Sequence, residues 1–328
     1  MAATSFDTLF PVLSRDVRLA AKIWTHADMR LVPLSQHARR AVAYPGWLDN
    51  AGSFDTLAPL LCEQLKMTIC CIDPPGCGFS DHRPRSSVYS DFEEVPLIGE
   101  VADQCGWDNF VLIGHSRGGA ISAWFAGLQP SRVISLISLE SNFGMTGQWI
   151  RDLMPGAPGP VERMNNAVTQ LKRNLTREVK VFESISEAVE ANKNNPTFKK
   201  NATTARNIVL RHIRPHPQGF TFIHDPKTYG QSQFIHVSEE QTKAFITNIS
   251  APVLHIVRSK EAWAQFPRAV VEHTERRVAL IRNRTEMVVP GGHHVHSDEP
   301  EATCAAIVPW LLPILLKNED KSVVAAKL

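Results

Sequence analysis

The sequence predicts an α/β fold: a mostly parallel central sheet with helices on both faces and an inserted helical cap. Short, continuous apolar runs alternate with helical patterns over most of the chain. Strands covered by helices on both faces are buried on both sides, so they read as continuous apolar runs. The alternation stops between residues 142 and 248, where the chain is polar, charged and rich in helical patterns. We interpret that stretch as the insertion.

Each element of the predicted core follows from a local pattern. Apolar runs predict strands at residues 40–44, 67–72, 109–113, 133–139, 253–257 and 286–289. Apolar residues at helical spacing predict helices at residues 54–65, 90–105 and 116–128, and a closing helix from residue 299 onward. Ser53 is placed to cap the first of these helices, and Pro309 and Pro313 are expected to bend the last one.

These elements divide the chain into four parts. Residues 1–141 form the first part of the core, residues 142–248 the helical cap, residues 249–316 the second part of the core, and residues 317–328 a flexible tail. Within the cap segment (residues 142–248), Ser184 with Glu187 and Ser238 with Gln241 have the spacing of capping boxes. An insertion at the carboxyl edge of a sheet shapes the substrate pocket and excludes water.

The composition excludes several classes of protein. Of 328 residues, 43% are apolar and 21% are charged, which is typical of a globular core. A net charge of +2 argues against a dedicated nucleic-acid binder. The six cysteines form no C-x-x-C pair, so we expect reduced, buried thiols. The apolar stretch at residues 307–316 contains two prolines and is too short to span a membrane.

Ser116 is the candidate nucleophile. It lies in a G-x-S-x-G turn at residues 114–118, between the apolar strand that precedes it and a helical stretch. This strand–turn–helix context is that of a nucleophile elbow, in which a strained turn presents the serine. A side chain at Gly114 or Gly118 would collide with neighbouring backbone in so tight a turn.

His293 is the candidate base for Ser116. A serine hydroxyl needs a base that is near in space rather than in sequence. His293 lies in the loop between the last strand and the closing helix, after two glycines that let the loop turn sharply. We expect His115, His294 and His296 to pack beside the site. A metal site is disfavoured because no acidic or cysteine ligand set accompanies the histidines at metal-site spacing.

Two glutamates are candidates for the carboxylate that orients His293. Glu140 directly follows the strand at residues 133–139, and Glu261 follows the strand at residues 253–257 by four positions. Both loops reach the same edge of the sheet as His293. A carboxylate there fixes the imidazole tautomer and stabilises the imidazolium.

Two backbone N–H groups are predicted to form the oxyanion hole. One belongs to Arg117, the residue after the nucleophile, and the other to Trp47 in the loop after the first central strand. Gly46 lets that loop approach closely. The alternative is that this loop is only a tight Pro-Gly turn.

The chain resembles α/β-hydrolases and, within them, the serine hydrolase-like proteins associated with peroxisomes. The likeness runs from about Arg40 to Leu316 and is carried by residues 46–55, 73–80, 114–119, 219–226 and 289–300. It implies a Ser116–His293 pair and an acid that closes the strand after the elbow, which favours Glu140. One departure is Pro45, where the family usually has histidine. Pro45 has neither an N–H nor an imidazole, so the support of this loop must differ.

These residues predict a cofactor-free serine hydrolase that acts on a small-molecule ester or thioester through an acyl-enzyme. A carbon–carbon bond hydrolase and a cofactor-free perhydrolase use the same residues and remain alternatives. A non-catalytic binding protein on the same fold is the alternative from another class.

The residues Ala326, Lys327 and Leu328 resemble the C-terminal S-K-L address read by the peroxisomal import receptor. We therefore expect location in a peroxisome or related organelle, and otherwise in the cytoplasm. The physiological substrate and the oligomeric state cannot be deduced from the sequence.

Overall fold

The structure, a computed structural model, describes residues 3–12, 17–144, 146, 150, 156–176, 178–195, 199–230, 237–258 and 266–325. The strands of this part of the chain are β1 (Thr4–Val12), β2 (Val17–Thr25), β3 (Arg40–Tyr44), β4 (Thr68–Ile72), β5 (Phe110–His115), β6 (Val133–Leu139), β7 (Val181–Phe182), β8 (Ile213–His216), β9 (Gly219–Phe222), β10 (Val253–Val257) and β11 (Arg284–Val288).

Eight of these strands form the central sheet, in the order β1-β2-β4-β3-β5-β6-β10-β11. The six strands from β4 to β11 in this order are parallel to one another. The two N-terminal strands add an antiparallel edge, β1 to β2 and β2 to β4. The predicted fold class, a mostly parallel sheet in an α/β architecture, is confirmed. The sequence analysis did not predict β1 and β2, because the exposed side of β1 interrupts its apolar pattern.

The helices are α1 (Leu57–Leu65), α2 (Asp91–Gln104), α3 (Arg117–Leu128), α4 (Pro160–Thr176), α5 (Ile185–Lys193), α6 (Ala202–Leu210), α7 (Glu239–Thr247), α8 (Arg268–Ala279), α9 (Val295–Asp298) and α10 (Pro300–Ala325). A short 3-10 helix at Ala51–Phe54 precedes α1. Asn50 rather than Ser53 caps this region, because the Asn50 side chain accepts a hydrogen bond from the N–H of Gly52 (2.9 Å).

The central strands separate two hydrophobic cores. Leu112 of β5 packs with α2 and α3, whereas its neighbours Val111 and Ile113 pack with α1 and α10. Successive side chains of a strand point to opposite faces, so both faces of this strand must be apolar. This burial explains why the central strands could be recognised as continuous apolar runs.

The closing helix is longer than predicted. It continues to Ala325, so residues 317–325, expected to belong to a flexible tail, are helical. The guanidinium of Arg39 holds this end, because its Nε lies 2.8 Å from Oε1 of Glu319. With this extension, Pro300–Glu319 is the one helix among the described residues with the length and composition of a membrane span. Its residues Ile307 and Leu311 are nevertheless buried against the sheet. Residues 326–328 lie outside the described part.

The cap segment contains a small antiparallel sheet, β7-β9-β8, as well as helices. The sequence analysis did not predict this sheet, because its strands are short and only partly buried. The last helix of the segment, α7, packs on α3 of the core. The side chain of Asn248 donates a hydrogen bond to the carbonyl of Gly127 (2.6 Å), and an added methyl group at Gly127 would overlap the backbone of Phe245.

Buried polar side chains attach the cap segment to the loop after β4. The Nε of Arg211 lies 2.8 Å from Oδ1 of Asp73, which is fully buried. The hydroxyl of Tyr89 donates a hydrogen bond to Asp225 (2.8 Å). The ammonium of Lys227 donates hydrogen bonds to three carbonyl oxygens at residues 83–87. We call these contacts the polar clamp; they fix residues 211–227 above the carboxyl edge of the sheet.

Candidate active site

Ser116 stands between β5 and α3 in a strained conformation. Its φ is 53° and its ψ is −117°, a backbone region that residues other than glycine rarely adopt. The N–H of Ser116 donates a hydrogen bond to the carbonyl of Leu139 on the neighbouring strand (2.8 Å). An added methyl group at Gly118 would overlap the carbonyl oxygens of Tyr44 and Pro45, and one at Gly114 would meet Gly118. The tight turn predicted from the glycine pattern is therefore present.

His293 lies next to Ser116. Its Nε2 is 2.9 Å from the Ser116 hydroxyl, and its Nδ1 is 3.5 Å from Oε2 of Glu140. A carboxylate on the Nδ1 side favours the tautomer with its proton there, which leaves Nε2 to accept the hydroxyl proton. Burial lowers the pKa of His293 below its ordinary value, despite the neighbouring Glu140. The imidazole is therefore neutral near pH 7, so its Nε2 can accept a proton.

Glu140 is held at the end of β6 by the next strand. Its φ is 50°, and its N–H donates a hydrogen bond to the carbonyl of Ile256 on β10 (2.8 Å). The N–H of Arg258 donates to Oε1 of Glu140 (2.5 Å), and the Nε of Arg258 lies 3.1 Å from Oε2. The structure thus brings Glu140 to the Ser116–His293 pair. Glu261, the other candidate acid, lies outside the described residues.

The two predicted oxyanion donors lie on neighbouring segments, one at the start of α3 and one in the loop after β3. Arg117 is the first residue of α3, where a helix leaves its N–H groups without an intrahelical partner. Trp47 lies in a turn in which the N–H of Asp49 donates to the carbonyl of Gly46 (3.2 Å) and Leu48 has a φ of 60°. The close packing of Gly118 against Tyr44 and Pro45 brings these two loops together.

A buried network links both predicted oxyanion loops to α2. The guanidinium of Arg117 contacts Asp91 and Glu94 of α2, each at 2.7 Å. The hydroxyl of Tyr44, directly before Pro45, donates to the other oxygen of Glu94 (2.7 Å). Burial disfavours the charge on Arg117, but the two carboxylates more than offset this and raise its pKa. The sequence analysis missed Tyr44, Glu94 and Asp91, because no local motif marks them.

The remaining histidines support the loop that carries His293. The Nε2–H of His115 donates to the carbonyl of His293 (2.8 Å), which holds the backbone beside the nucleophile. Burial lowers the pKa of His296 to about 3 and that of His115 well below its ordinary value. These imidazoles are neutral and pack as aromatic rings, as the sequence analysis expected of them.

One acidic residue joins the histidines in space, although none does so in sequence. Asp49, His115 and His294 place three potential metal-ligand atoms within 4.8 Å of one another. The expectation of no metal site rested on the lack of such an acid, and Asp49 supplies one from the oxyanion loop. In the structure the Nε2 of His294 is instead hydrogen bonded to Oδ2 of Asp49 (3.0 Å). This bond links the base loop to the oxyanion loop.

A cavity of about 260 Å³ opens between the oxyanion loop and the small sheet of the cap segment. Trp47 and Asp49 of the loop and Phe182 and Phe222 of the small sheet are among the residues that line it. Because this concave space begins at the predicted oxyanion loop and combines aromatic with polar side chains, it is a candidate substrate pocket.

Comparisons with known proteins agree with this architecture. A family model described as the alpha/beta hydrolase fold matches residues 42–300. The serine hydrolase-like protein of Danio rerio is 27% identical over 84% of this chain and 82% of its own length.

Solved structures show the same fold. A hypothetical protein from Pseudomonas aeruginosa PAO1 has a TM-score of 0.75 at 22% identity, covering 96% of this chain and 100% of its own. The thioesterase domain from the curacin biosynthetic pathway has a TM-score of 0.71 at 15% identity, covering 93% of this chain and 99% of its own. The resemblance stated from the sequence is confirmed at the level of the family.

Proposed function

Because the chain belongs to the α/β-hydrolase fold family, we propose that it is a serine hydrolase that cleaves carboxylic esters or thioesters through Ser116, His293 and Glu140. The observation that carries this proposal is the 2.9 Å contact between the Ser116 hydroxyl and Nε2 of His293. A serine in a strained elbow with a neutral imidazole at hydrogen-bond distance is an activated nucleophile. The serine hydrolase-like relatives support the same class of enzyme.

The reaction proceeds in two steps. Ser116 Oγ attacks the carbonyl carbon as its proton passes to His293 Nε2, and the bond to the leaving alcohol or thiol breaks as His293 returns that proton. In the second step His293 deprotonates a water molecule, which attacks the acyl-enzyme and releases the carboxylic acid and the Ser116 hydroxyl. The carboxylate of Glu140 stabilises the imidazolium in both steps. The 3.5 Å separation between Glu140 and His293 is expected to shorten once the imidazole is charged.

The N–H groups of Trp47 and Arg117 are proposed to hold the oxyanion of each tetrahedral intermediate. Preorganised backbone donors need no rearrangement as the charge develops, which is the basis of their contribution. The network of Tyr44, Glu94 and Arg117 supports this role, because it fixes both donor-bearing loops to α2.

The test is active-site labelling combined with a substrate series. A fluorophosphonate should label Ser116 in the wild-type protein and should not label Ser116→Ala. An acyl-chain series of p-nitrophenyl esters and acyl-CoA thioesters should give turnover that Ser116→Ala lowers by about 10⁴-fold or more. Turnover of none of these substrates, with no labelling, would favour a non-catalytic binding protein. Labelling without ester or thioester turnover would favour the carbon–carbon bond or perhydrolase alternatives.

For the location of the protein, we propose import into a peroxisome or related organelle through Ala326, Lys327 and Leu328. This proposal rests on the sequence alone. A fluorescent protein fused in front of the chain should collect in these organelles, and deletion of Leu328 should leave it in the cytosol. An unchanged distribution after this deletion would contradict the proposal.

A further inference from the structure

The cavity under the cap segment holds polar groups that the hydrolytic mechanism does not use. Asn174 of α4 lines it with only 4% of its surface exposed. Its Oδ1 accepts a hydrogen bond from Gln170 (2.8 Å), so its Nδ2 carries the donors. Among the described residues, this Nδ2 has no hydrogen-bond partner. A buried amide donor without a partner is costly, and such groups commonly meet a ligand or water.

Lys200 adds a buried positive charge to the same cavity. Its side chain is 7% exposed, and its Nζ lies 3.8 Å from Oδ1 of Asp49, beyond hydrogen-bond distance. Asp49 already accepts a hydrogen bond from His294 through its other oxygen. The ammonium of Lys200 therefore offsets the charge of Asp49 without donating a hydrogen bond to that carboxylate. An ammonium in this position is available to a second acceptor.

The two donors share a cavity that starts at the proposed oxyanion loop. Trp47, whose N–H faces the reacting carbonyl in the proposed mechanism, forms part of the cavity wall, as do the rings of Phe182 and Phe222. An acyl chain that runs from Ser116 past Trp47 would enter this cavity, whose lining includes Asn174 and Lys200. Its far end meets two hydrogen-bond donors, one of them charged.

We propose, on the basis of the proposed function, that the enzyme prefers acyl groups whose far end carries a carboxylate. A carboxylate offers two acceptor oxygens, which match the amide of Asn174 and the ammonium of Lys200. The charges of Lys180 and Lys200 balance those of Asp49 and Glu178 in the cavity lining, so a carboxylate adds its single negative charge to a lining without net charge. A phosphate carries more negative charge than a carboxylate, so Asp49 and Glu178, which line the same cavity, repel it more strongly. The preferred substrates are half-esters or half-thioesters of dicarboxylic acids.

The test uses two esters of equal chain length. The wild-type protein should hydrolyse the mono-p-nitrophenyl ester of hexanedioic acid at least tenfold better, in kcat/KM, than p-nitrophenyl hexanoate. Asn174→Leu and Lys200→Met should each reduce the ratio of the two kcat/KM values by about 10- to 100-fold, because each removes a hydrogen bond to a charged group. Lys193→Met is the matched control, because Lys193 pairs with Glu190 on the surface (3.0 Å) and should leave the ratio unchanged.

A second measurement needs no variant. Hexanedioate should inhibit hydrolysis of the neutral ester at a lower concentration than hexanoate does. Preference for the neutral ester, or equal inhibition by the two acids, would overturn the carboxylate subsite while the hydrolase stands. An equal loss on both esters in both variants would overturn it as well. Failure of the hydrolase itself would differ, since neither ester would be turned over and Ser116 would not be labelled.

Discussion

The catalytic loops and the cap segment are held in place by different kinds of interaction. Ser116, Glu140 and His293 stand at the carboxyl ends of β5, β6 and β11, and the first two are fixed by backbone hydrogen bonds to Leu139 and Ile256 on the neighbouring strands. The cap segment is instead attached mostly by side chains, through the polar clamp, beside one backbone hydrogen bond from Asp225 to Gly76 (2.8 Å). The reacting groups thus take their geometry from the sheet, whereas the pocket above them depends on a few buried polar contacts.

Because of this difference, the catalytic loops and the cap segment should respond differently to substitution. Backbone hydrogen bonds in a parallel sheet do not depend on side-chain identity, so the reacting groups keep their positions as the rest of the sequence changes. Removing one partner of a buried ion pair strongly lowers the free energy of unfolding, because the other partner is left charged and buried. The catalytic loops should therefore respond to substitution through activity, and the cap segment through stability and substrate choice.

The largest expected effect tests the catalytic side of this comparison. Glu140→Gln keeps the shape of the side chain but removes the charge that fixes the His293 tautomer and stabilises its imidazolium. We expect kcat to fall by about 10⁴-fold, measured with a p-nitrophenyl ester at pH 8. Because this change also leaves Arg258 without its buried carboxylate partner, the melting temperature should fall as well, and kcat should be measured where both proteins are folded.

Glu261→Gln is the matched control, since Glu261 was the other candidate acid in the sequence. It should keep nearly full activity. A large loss in Glu261→Gln together with a small one in Glu140→Gln would reverse the assignment of the acid.

The next largest effect concerns the polar clamp. Arg211→Met leaves Asp73 charged and fully buried, so we expect a loss of about 3–5 kcal/mol in the free energy of unfolding. Urea denaturation followed by tryptophan fluorescence measures this. Arg214→Met, in the same segment but exposed, should change the free energy of unfolding by less than about 0.5 kcal/mol.

An equal, small effect in both arginine variants would show that the clamp contributes little to holding the cap segment. In that case the pocket would be shaped by the apolar contacts of the small sheet instead.

The catalytic side was also the part that the sequence could predict. Ser116 is marked by glycines on either side, and His293 by its place after the last strand and before the closing helix. The strands at Val133–Leu139 and Val253–Val257 have the predicted bounds. These features depend on short-range patterns, which a single sequence displays directly.

The cap side depends on pairs that are far apart in the chain, so a single sequence gives no sign of them. Arg211 and Asp73 are 138 positions apart. The same holds for one contact on the catalytic side, since Asp49 and His294 are 245 positions apart. The sequence could not decide between Glu140 and Glu261 for the same reason, because the decision required knowing which strand ends lie beside His293. Asn174 was equally hidden, since only the packing of the described residues shows its Nδ2 to be buried without a hydrogen-bond partner.

A pH profile gives a smaller and more specific effect on the catalytic side. His293 must be neutral to accept a proton, so activity is present above its pKa and is lost as the pH falls through it. Burial lowers this pKa, so the acidic limb of kcat/KM should lie below the ordinary value of 6.5. The charged or titratable groups facing His293 are Glu140, Arg258, His294 and His115. Arg258→Met removes the positive charge and should move the limb to higher pH.

Arg268→Met is the control for this shift, because Arg268 is exposed and pairs with Glu272 on the surface of α8. Its acidic limb should coincide with that of the wild type. An unchanged limb in Arg258→Met would mean that Arg258 acts on Glu140 through structure alone, without altering the electrostatics of the base.

The smallest effect compares two helix N-termini within the cap segment. Ser238 forms a complete capping box with Gln241 at the start of α7, whereas Ser184 only accepts a hydrogen bond from the N–H of Glu187 at the start of α5. Each serine to alanine change should cost about 1 kcal/mol of helix stability. Because α7 packs on α3, Ser238→Ala should speed amide hydrogen exchange in the core helix α3. Ser184→Ala should speed exchange only near α5, because local unfolding there leaves the core intact. Equal acceleration in α3 by both variants would show that the core and the cap segment unfold as one unit, which would remove the distinction between them.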